Sequence, residues 1–172
     1  PLGSCTAQAG AAAYSFVSSK PPNPSKLFLY YNARLLGDPK WVLEDSGASL
    51  YHLIVGMEQF GVCPEKQWPY DISKFKEKPT QECYDKAKKR VVTEVTHLKP
   101  TLEELKACLA SNLPFFFGIM VHSSFESEAV SKTGKVPLPK KGEKKLGGHA
   151  LLCCGYDDDQ QVFICRNSWS NK

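Results

Sequence analysis

Three residues that could act together in nucleophilic chemistry occur in this sequence: Cys5, His149 and Asn167. A thiol attacks a carbonyl carbon far better once it has lost its proton, and a neighbouring histidine can take that proton and later return it. An asparagine oxygen can accept a hydrogen bond from an imidazole N–H and hold the ring in one orientation. The chain must therefore fold so that its first and last segments meet.

The residues around Cys5 favour a reactive thiol. Ser4 can cap the N-terminus of a helix, and the segment that follows is rich in alanine, the strongest helix former. We predict a helix from Cys5 to about Val17, with the cysteine in its first turn. Free N–H groups and the positive end of the helix dipole lie there, and both favour a thiolate.

The segment that contains His149 and Asn167 has the pattern of a β-hairpin. Two apolar runs flank the polar stretch 157–161, which is typical of a turn. With the turn centred on Asp158, His149 lies directly opposite Asn167, to within one residue of register. Facing residues of an antiparallel pair lie about 5 Å apart at Cβ, so Asn167 could orient the imidazole.

The order of these residues, with the histidine about 140 residues after the cysteine, fits the spacing of papain-type enzymes. The chain resembles the papain-like cysteine peptidases through Gly3-Ser4-Cys5, through the strand that opens at His149, and through Asn167-Ser168-Trp169. Weaker similarities are Trp68-Pro69-Tyr70 and Gly47-Ala48. Together these motifs extend over nearly the whole chain.

This resemblance implies an α+β, papain-like two-lobe fold with the active-site cleft between the lobes. A helical lobe would span about residues 1–90, and a lobe rich in antiparallel β-structure about residues 91–172, within one peptidase domain. The resemblance also implies a polypeptide substrate, with a propeptide or a protein inhibitor as a further partner. It implies no metal and no organic cofactor.

The resemblance implies a role for each motif residue as well. Cys5 would be the nucleophile, His149 its acid–base partner, and Asn167 the residue that orients the imidazole. Trp169 would shield the hydrogen bond between His149 and Asn167 from water. Gly47 and Ala48 would bind the substrate backbone by strand-like pairing.

Family members differ from this sequence at both ends. In the family, a glutamine a few residues upstream of the cysteine supplies a second oxyanion donor, and chains continue past the Asn-Ser-Trp motif into a glycine-rich turn and another strand. This sequence begins at Pro1 and ends at Lys172. We therefore expect it to be truncated at both ends.

Helices are predicted to dominate the first half of the chain. A second helix is predicted with Asn23 as its N-cap and Gly37 at its end, and a third between Gly47 and Gly61. Thr80 is predicted to cap a short basic helix that follows an extended loop.

Strands are predicted to dominate the second half. The alternating pattern of residues 91–98 predicts a strand and a boundary between lobes. Thr101 and Glu104 form a capping box that opens a helix to about Ala110, and residues 115–121 are predicted to form a buried strand.

Three other histidines are weaker candidates than His149. His122 ends an apolar strand but has no asparagine or aspartate at hairpin distance. His52 lies off the apolar stripe of its predicted helix, and His97 closes a predicted strand. We interpret the last two as surface residues.

The seven cysteines argue against a disulfide scaffold, because their number is odd and their spacing irregular. The absence of a CxxC pair argues against structural zinc. Leu2 stands where secreted papain-like relatives have a disulfide cysteine, and Thr6 follows the nucleophile as in disulfide-poor bacterial and viral members. We therefore expect an intracellular, reducing compartment, with a lysosomal or secreted location, as in many family members, as the alternative.

Two further classes of partner are disfavoured. The longest apolar run, residues 113–121, is far too short to span a bilayer, so no membrane partner is expected. The net charge is only +4, and much of the clustered positive charge comes from lysines between Lys132 and Lys145. Because no aromatic residue alternates with these lysines, they indicate a solvated loop and no nucleic-acid partner.

These observations predict a cysteine endopeptidase that hydrolyses peptide bonds through a Cys–His–Asn mechanism. One alternative is a catalytically weak papain-fold protein that binds or assembles with a partner. A less favoured one is a Cys–His acyltransferase. Such enzymes generally orient the histidine with an aspartate, whereas the aspartates nearest to His149, residues 157–159, lie at the predicted hairpin tip.

Overall fold

The computed structural model of the chain describes residues 2–18 and 23–169. Helices come first along the chain and strands later, as the sequence predicts for an α+β protein. The α-helices are α1 Cys5–Val17, α2 Lys26–Gly37, α3 Leu50–Gln59, α4 Gln81–Ala87, α5 Leu102–Ala110 and α6 Glu128–Thr133. The strands are β1 Phe115–His122, β2 Lys145–Asp157 and β3 Val162–Arg166.

The first helix has the predicted bounds, but its cap differs from the prediction. Ser4 occupies the N-cap position without a side-chain bond to the helix. Its hydroxyl instead forms a 2.7 Å hydrogen bond with the hydroxyl of Tyr70. Tyr70 belongs to the loop that the Trp68-Pro69-Tyr70 motif marks, so this bond ties the segment before Cys5 to the helical part of the molecule.

The second helix begins later than predicted. Ser25, and not Asn23, is its N-cap, and the Ser25 hydroxyl accepts a hydrogen bond from the Phe28 N–H at 3.1 Å. Pro24 lies outside the helix, in an isolated bridge with Pro64. Asparagine and serine are similarly good N-caps, so local sequence alone does not decide between them.

The third helix ends as predicted. Gly61 follows it with a φ of +78°, a left-handed conformation that glycine adopts without a steric penalty. A Cβ at Gly61 would lie 2.1 Å from the Ala87 carbonyl oxygen at the end of α4. The close approach of these two backbone segments therefore also requires glycine. Ser49 caps the start of the helix through the His52 N–H at 3.0 Å.

The main hydrophobic core lies in the helical part of the molecule. Its buried members all come from residues 7–87, where α2 lies against both α1 and α3. Phe28 and Tyr30 of α2 are fully buried in it, and Trp68 anchors the following loop, as predicted. Burial of a large apolar side chain contributes about 1.5–3 kcal/mol, so this cluster stabilises the frame that carries α1.

The three strands form one antiparallel sheet in the order β1-β2-β3. The middle strand, β2, is buried from His149 to Cys153 and packs against α1. Strand β1 was expected to be buried, but it is an edge strand and only partly covered: Met120 is 49% exposed. The sheet therefore buries mainly the stretch of β2 that opens with His149.

The predicted register of the hairpin is wrong, although the hairpin itself is present. Strands β2 and β3 pair Cys153 with Cys165 and Leu152 with Arg166, and a bulge follows Cys153. One further step in this register would set Asn167 opposite Leu151. The offset of two residues keeps Asn167 on the same face as His149, because side chains alternate with a period of two.

The predicted strand at residues 91–98 is also wrong. This segment forms no strand and pairs with no other strand in the described part of the chain, and Val91 and Val95 are 41% and 42% exposed. It is held at its start by a 3.2 Å hydrogen bond from the Val92 N–H to the Met57 carbonyl. An alternating pattern favours extended backbone, but a strand also needs a neighbouring strand.

The two remaining predicted helices are present with altered caps. Thr80 precedes α4 without accepting from a backbone N–H of the helix; its hydroxyl instead contacts the Cys83 thiol at 3.2 Å. A short 3-10 turn extends α4 to Arg90. Thr101 caps α5 by accepting from the Glu104 N–H at 3.3 Å. The Glu104 carboxylate does not complete the capping box, because it accepts from the Lys99 N–H.

No helix among the described residues is long and apolar enough to cross a membrane.

Candidate active site

The start of α1 and the buried stretch of β2 bring Cys5 next to His149. The thiol lies within hydrogen-bonding reach of the imidazole and of the Ala150 and Thr6 backbones. His149 is only 7% exposed, whereas Cys5 is half-buried and open to a surface cavity. A buried imidazole beside an accessible thiol is the arrangement that nucleophilic chemistry requires.

Asn167 fixes the orientation of the imidazole. Its Oδ1 lies 2.8 Å from His149 Nε2 and also accepts a 2.8 Å hydrogen bond from the Ser168 N–H. Because an amide oxygen only accepts, Nε2 carries the hydrogen of this bond. The other ring nitrogen, Nδ1, is left for the thiol of Cys5.

The two groups shift each other's pKa in opposite directions. Burial raises the pKa of the Cys5 thiol, but hydrogen bonds from His149 and Ala150 and the charge of His149 outweigh burial, and the net pKa is lowered. Burial lowers the pKa of His149, but its hydrogen bonds to Cys5 and Asn167 give a net increase. Both shifts favour a thiolate beside an imidazolium.

Two aromatic side chains cover the histidine. The Trp169 ring centroid lies 4.8 Å from that of His149, and Phe125 packs edge-on at 6.3 Å from His149 and 5.2 Å from Trp169. Trp169 remains 51% exposed, so it forms the outer layer of this cover. An apolar cover keeps water from competing for the hydrogen bond between His149 and Asn167.

The sequence analysis did not identify Phe125. It lies in a short 3-10 turn, Ser123–Glu126, directly after β1. A weak signal was available, since an aromatic residue between polar residues at the end of a strand indicates a specific packing partner. That partner is Trp169, which is 44 residues away in sequence but in contact in the fold.

Asp45 is a second residue that the sequence analysis missed. Its carboxylate oxygens accept from the Gly3 N–H at 2.9 and 3.0 Å, and Oδ1 also accepts from the Tyr30 hydroxyl at 2.5 Å. The Tyr30 oxygen in turn accepts from the Gly47 N–H at 3.1 Å. This network connects the backbone just before Cys5 to the backbone at Gly47.

Gly47 and Ala48 lie beside the segment that precedes Cys5. Gly47 has a φ of +74°, which favours glycine, and a Cβ added at Gly3 would lie 3.5 Å from its Cα. Ala48 is partly buried against the hydrophobic core, so its side chain faces inward. The Gly47 backbone is engaged on both sides, since its N–H donates to Tyr30 and its carbonyl accepts from the Ser46 hydroxyl at 3.0 Å.

The other titratable candidates lie apart from this site. His122 hydrogen-bonds to the Met120 carbonyl at 3.1 Å and pairs with Lys145 at the end of β1. His97 is exposed, as predicted, whereas His52 is half-buried beside Gly37 and Trp41, so its interpretation as a surface residue is wrong. Across the described part of the chain, no cluster of three or more His, Cys, Asp or Glu side chains could hold a metal ion.

An accessible thiol beside an oriented imidazole, on a helical layer packed against an antiparallel sheet, defines the class of papain-like thiol hydrolases. Comparison with known proteins gives the same class. Residues 45–172 match the family model described as papain family cysteine protease. The structure superposes on xylellain, a cysteine protease from Xylella fastidiosa, with a TM-score of 0.87 and 39% identity, over 99% of this chain and 69% of that one.

Two more relatives agree. An uncharacterised peptidase C1-like protein of Acanthamoeba polyphaga mimivirus is 42% identical over 184 aligned positions, covering 99% of this chain. A cysteine protease of Carica candamarcensis shares the fold, with a TM-score of 0.58 at 17% identity over 98% of this chain and 73% of its own. The chain belongs to the papain family of cysteine proteases and has the α+β fold predicted from its sequence. It spans 58% of the mimivirus protein's length.

Proposed function

We propose that this chain is a cysteine endopeptidase domain that hydrolyses peptide bonds through Cys5, His149 and Asn167. The observation that carries the proposal is the geometry: Cys5 opens α1 and lines one cavity with His149, whose Nε2 lies 2.8 Å from Asn167 Oδ1. The opposite pKa shifts of the thiol and the imidazole agree with it. Family membership makes a peptidase the first candidate. The geometry of the site supports Cys5, His149 and Asn167 as the catalytic residues of such a peptidase.

The first step is attack by the Cys5 thiolate on the carbonyl carbon of the scissile bond. Cys5 is the first residue of α1, where backbone N–H groups have no partner within the helix. The Cys5 N–H is therefore available to donate to the oxyanion that forms. Removal of one such donor typically costs ~10²–10³ in rate, so this contact is a major part of the mechanism.

His149 acts in both halves of the reaction. As an imidazolium, it gives its Nδ1 proton to the leaving amine, and the acyl group stays on the Cys5 sulfur. As a neutral imidazole, it then takes a proton from the water that hydrolyses the thioester. Asn167 keeps the ring plane fixed through both transfers, because it accepts from Nε2 and carries no charge itself.

The substrate in this proposal is a polypeptide that runs past Gly47. Gly47 is itself engaged, because its N–H donates to the Tyr30 hydroxyl and its carbonyl accepts from the Ser46 hydroxyl, so the strand-like pairing in this proposal falls to the Ala48 backbone. Asp45 holds Gly3 directly and Gly47 through Tyr30. A propeptide or a protein inhibitor would occupy the same surface. The proposal includes the reducing intracellular setting inferred from the number and spacing of the cysteines.

A papain-fold binding protein of low activity is the second candidate, because the chain spans only part of its relatives. An acyltransferase with an aspartate orienter is not supported. Asp157 accepts from Gln160 and Asp158 pairs with Lys106 at 2.6 Å, so both are engaged at the far end of the hairpin. The 2.8 Å contact of Asn167 Oδ1 with His149 Nε2 supports an amide as the orienting group.

The test compares Cys5→Ala with Cys154→Ala, a matched change at an exposed thiol. Peptide hydrolysis should fall at least ~10³-fold in the first variant and stay unchanged in the second. Asn167→Ala should cost ~10–100-fold, since it removes orientation and not a reacting atom. A thiol-directed epoxide followed by peptide mapping should label Cys5 alone.

Two outcomes would overturn the proposal. Full turnover by purified Cys5→Ala would exclude this thiol as the nucleophile. A wild-type protein whose Cys5 is labelled but which cleaves no peptide would favour the binding protein. Product analysis with an added amine distinguishes hydrolysis from acyl transfer.

A further inference from the structure

A small cavity of about 220 Å³ opens beside Cys5. It is well below the roughly 300–1,000 Å³ of pockets that hold drug-sized ligands, so its size suits one amino-acid side chain. Val121 and Leu146 form apolar walls, and His149 and Trp169 close one side. The cavity is distinct from the backbone around Gly47, which does not line it.

Two glycines keep this cavity open. Gly147 and Gly148 lie in its lining, and a Cβ at either position would meet nothing within 4 Å. Gly147 has a φ of +151°, a conformation that residues with a side chain rarely adopt. A bulkier residue there would fill the space that an incoming side chain needs.

The position of His149 shows which part of a substrate enters the cavity. This step rests on the proposed function. The imidazole must protonate the leaving nitrogen, so the residue that contains this nitrogen lies on the imidazole side of the Cys5 sulfur. The cavity is on that side, because the rings of His149 and Trp169 both line it.

Glu126 gives the cavity its charge. Among the described residues of the lining, it is the only ionisable side chain apart from Cys5 and His149. Within residues 2–18 and 23–169 its carboxylate has no ion pair and no side-chain hydrogen bond. Glu143, which binds the same 3-10 turn, is by contrast fully engaged: it accepts from the Ser124 N–H at 2.6 Å and from the Lys140 N–H at 2.9 Å. The carboxylate of Glu126 is therefore available to a ligand.

We propose that Glu126 selects lysine or arginine as the first residue of the leaving fragment. The aliphatic part of such a side chain packs on Val121 and Leu146, and its charged end meets the carboxylate. Lysine and arginine commonly bury their stems on apolar surface while the charged group stays near water. A glutamate at the rim of an apolar cavity matches that chemistry better than it matches an apolar or acidic side chain.

The expected preference is modest. Glu126 is exposed, and ion pairs at exposed positions contribute about 0.2–1 kcal/mol. Lysine should therefore be favoured over glutamine by ~1.4–5-fold in kcat/KM. Glutamate should be the poorest of the three, because like charges repel. The preference should weaken as salt is added, since salt screens exposed charges.

The test uses quenched fluorescent peptides that differ only at the first leaving-side residue: lysine, glutamine or glutamate. The Glu126→Gln variant should lose the preference for lysine over glutamine, and Glu126→Lys should favour glutamate. Glu128→Gln is the matched control, because Glu128 is exposed, pairs with Lys132 at 2.5 Å and does not line the cavity. The control should keep the wild-type preference.

A substrate whose leaving group is a fluorescent amine without a side chain provides the reference rate. Each variant's peptide rates are divided by its own reference rate, so a general effect of the substitution on the site cancels, and a measurable reference rate shows that the variant folds. Wild type that cleaves all three peptides equally well would overturn this proposal and leave the proposed function intact. Wild type that cleaves none of the substrates would overturn the proposed function itself.

Discussion

The helical part of the chain, residues 5–90, and the sheet part, residues 102–169, differ in where they bury side chains. The main core cluster comes from the helical part alone. In the sheet part, burial is concentrated in one stretch of β2, from His149 to Cys153, while most of β3 is exposed. Cys5, the proposed nucleophile, thus begins a helix of the part with the main core. His149 and Asn167 come from the sheet part, which buries fewer side chains.

The two parts also treat charge differently. In the helical part, Arg34 is fully buried and donates to the carbonyls of Trp41, Val42, Glu44 and Phe75. In the sheet part, the ion pairs Lys106–Asp158 and Lys132–Glu128 are exposed. Exposed pairs contribute about 0–1 kcal/mol, whereas breaking a buried polar network costs several times more.

This difference suggests a division of labour. In the proposed mechanism, the helical part supplies the frame for the thiol, and the sheet part supplies the groups that would activate it and contact the leaving fragment. Substitutions in the helical frame should therefore act on stability first, and substitutions at the sheet face on chemistry. Three substitutions test this division.

The largest effect is expected for His149→Ala. Turnover should fall at least ~10³-fold with little loss of stability. In a catalytic unit, removing one residue costs about as much rate as removing all of them. The pKa of Cys5 should rise, since its hydrogen bond and charge partner is gone. The pH at which alkylation of Cys5 becomes fast should therefore move upward, measured as the alkylation rate against pH.

The two pKa shifts predict how the turnover of the wild-type protein changes with pH. The thiolate exists above the pKa of Cys5, which is lowered, and the imidazolium exists below the pKa of His149, which is raised. Turnover should rise with pH through the first transition and fall through the second. The control is His97→Ala, an exposed histidine. An unchanged alkylation profile in His149→Ala would contradict the pairing.

The next effect is on stability and comes from Arg34→Met. The change leaves several buried carbonyls without a donor, at about 1–3 kcal/mol for each that water does not reach, so we expect a loss of about 3–5 kcal/mol. The matched change in the sheet part is Arg166→Met, at an exposed position, which should cost less than about 0.5 kcal/mol. Urea unfolding measures both, and equal losses would remove the distinction between the two parts.

The smallest effect is expected for Asp45→Asn. Asp45 connects Gly3 to Tyr30, so the change should loosen the segment before Cys5 and lower kcat by about 10-fold, the low end for residues that act through another group. The measurement is kcat and KM together with the alkylation rate of Cys5. The control is Asp71→Asn, because the Asp71 carboxylate also accepts from a backbone N–H, that of Ser73. This change should leave kcat, KM and the alkylation rate of Cys5 unchanged. A drop in stability without a change in kcat would assign Asp45 to the frame alone.

The helices show how much the sequence determines. Their hydrogen bonds run between residues four apart, so local residue types fix where they form. The alanines after Ser4 specify α1, and Gly61 ends the segment of α3. The start of α2 was misplaced by a few residues because two good caps compete there, Asn23 and Ser25. The short helix α6 was not predicted. The types of the residues able to do chemistry were also visible, since Cys5, His149 and Asn167 stand in recognisable motifs.

What the sequence could not decide depends on contacts between distant residues. The register of β2 on β3, the lack of a partner for residues 91–98, and the contacts of Asp45 with Gly3 and of Phe125 with Trp169 all belong to this group. Side chains far apart in sequence meet only once the helices and the sheet have packed. The proximity of the thiol to the imidazole, and with it the shift in both pKa values, was therefore decided by the tertiary structure, because electrostatic interactions and desolvation depend on distance and burial in space.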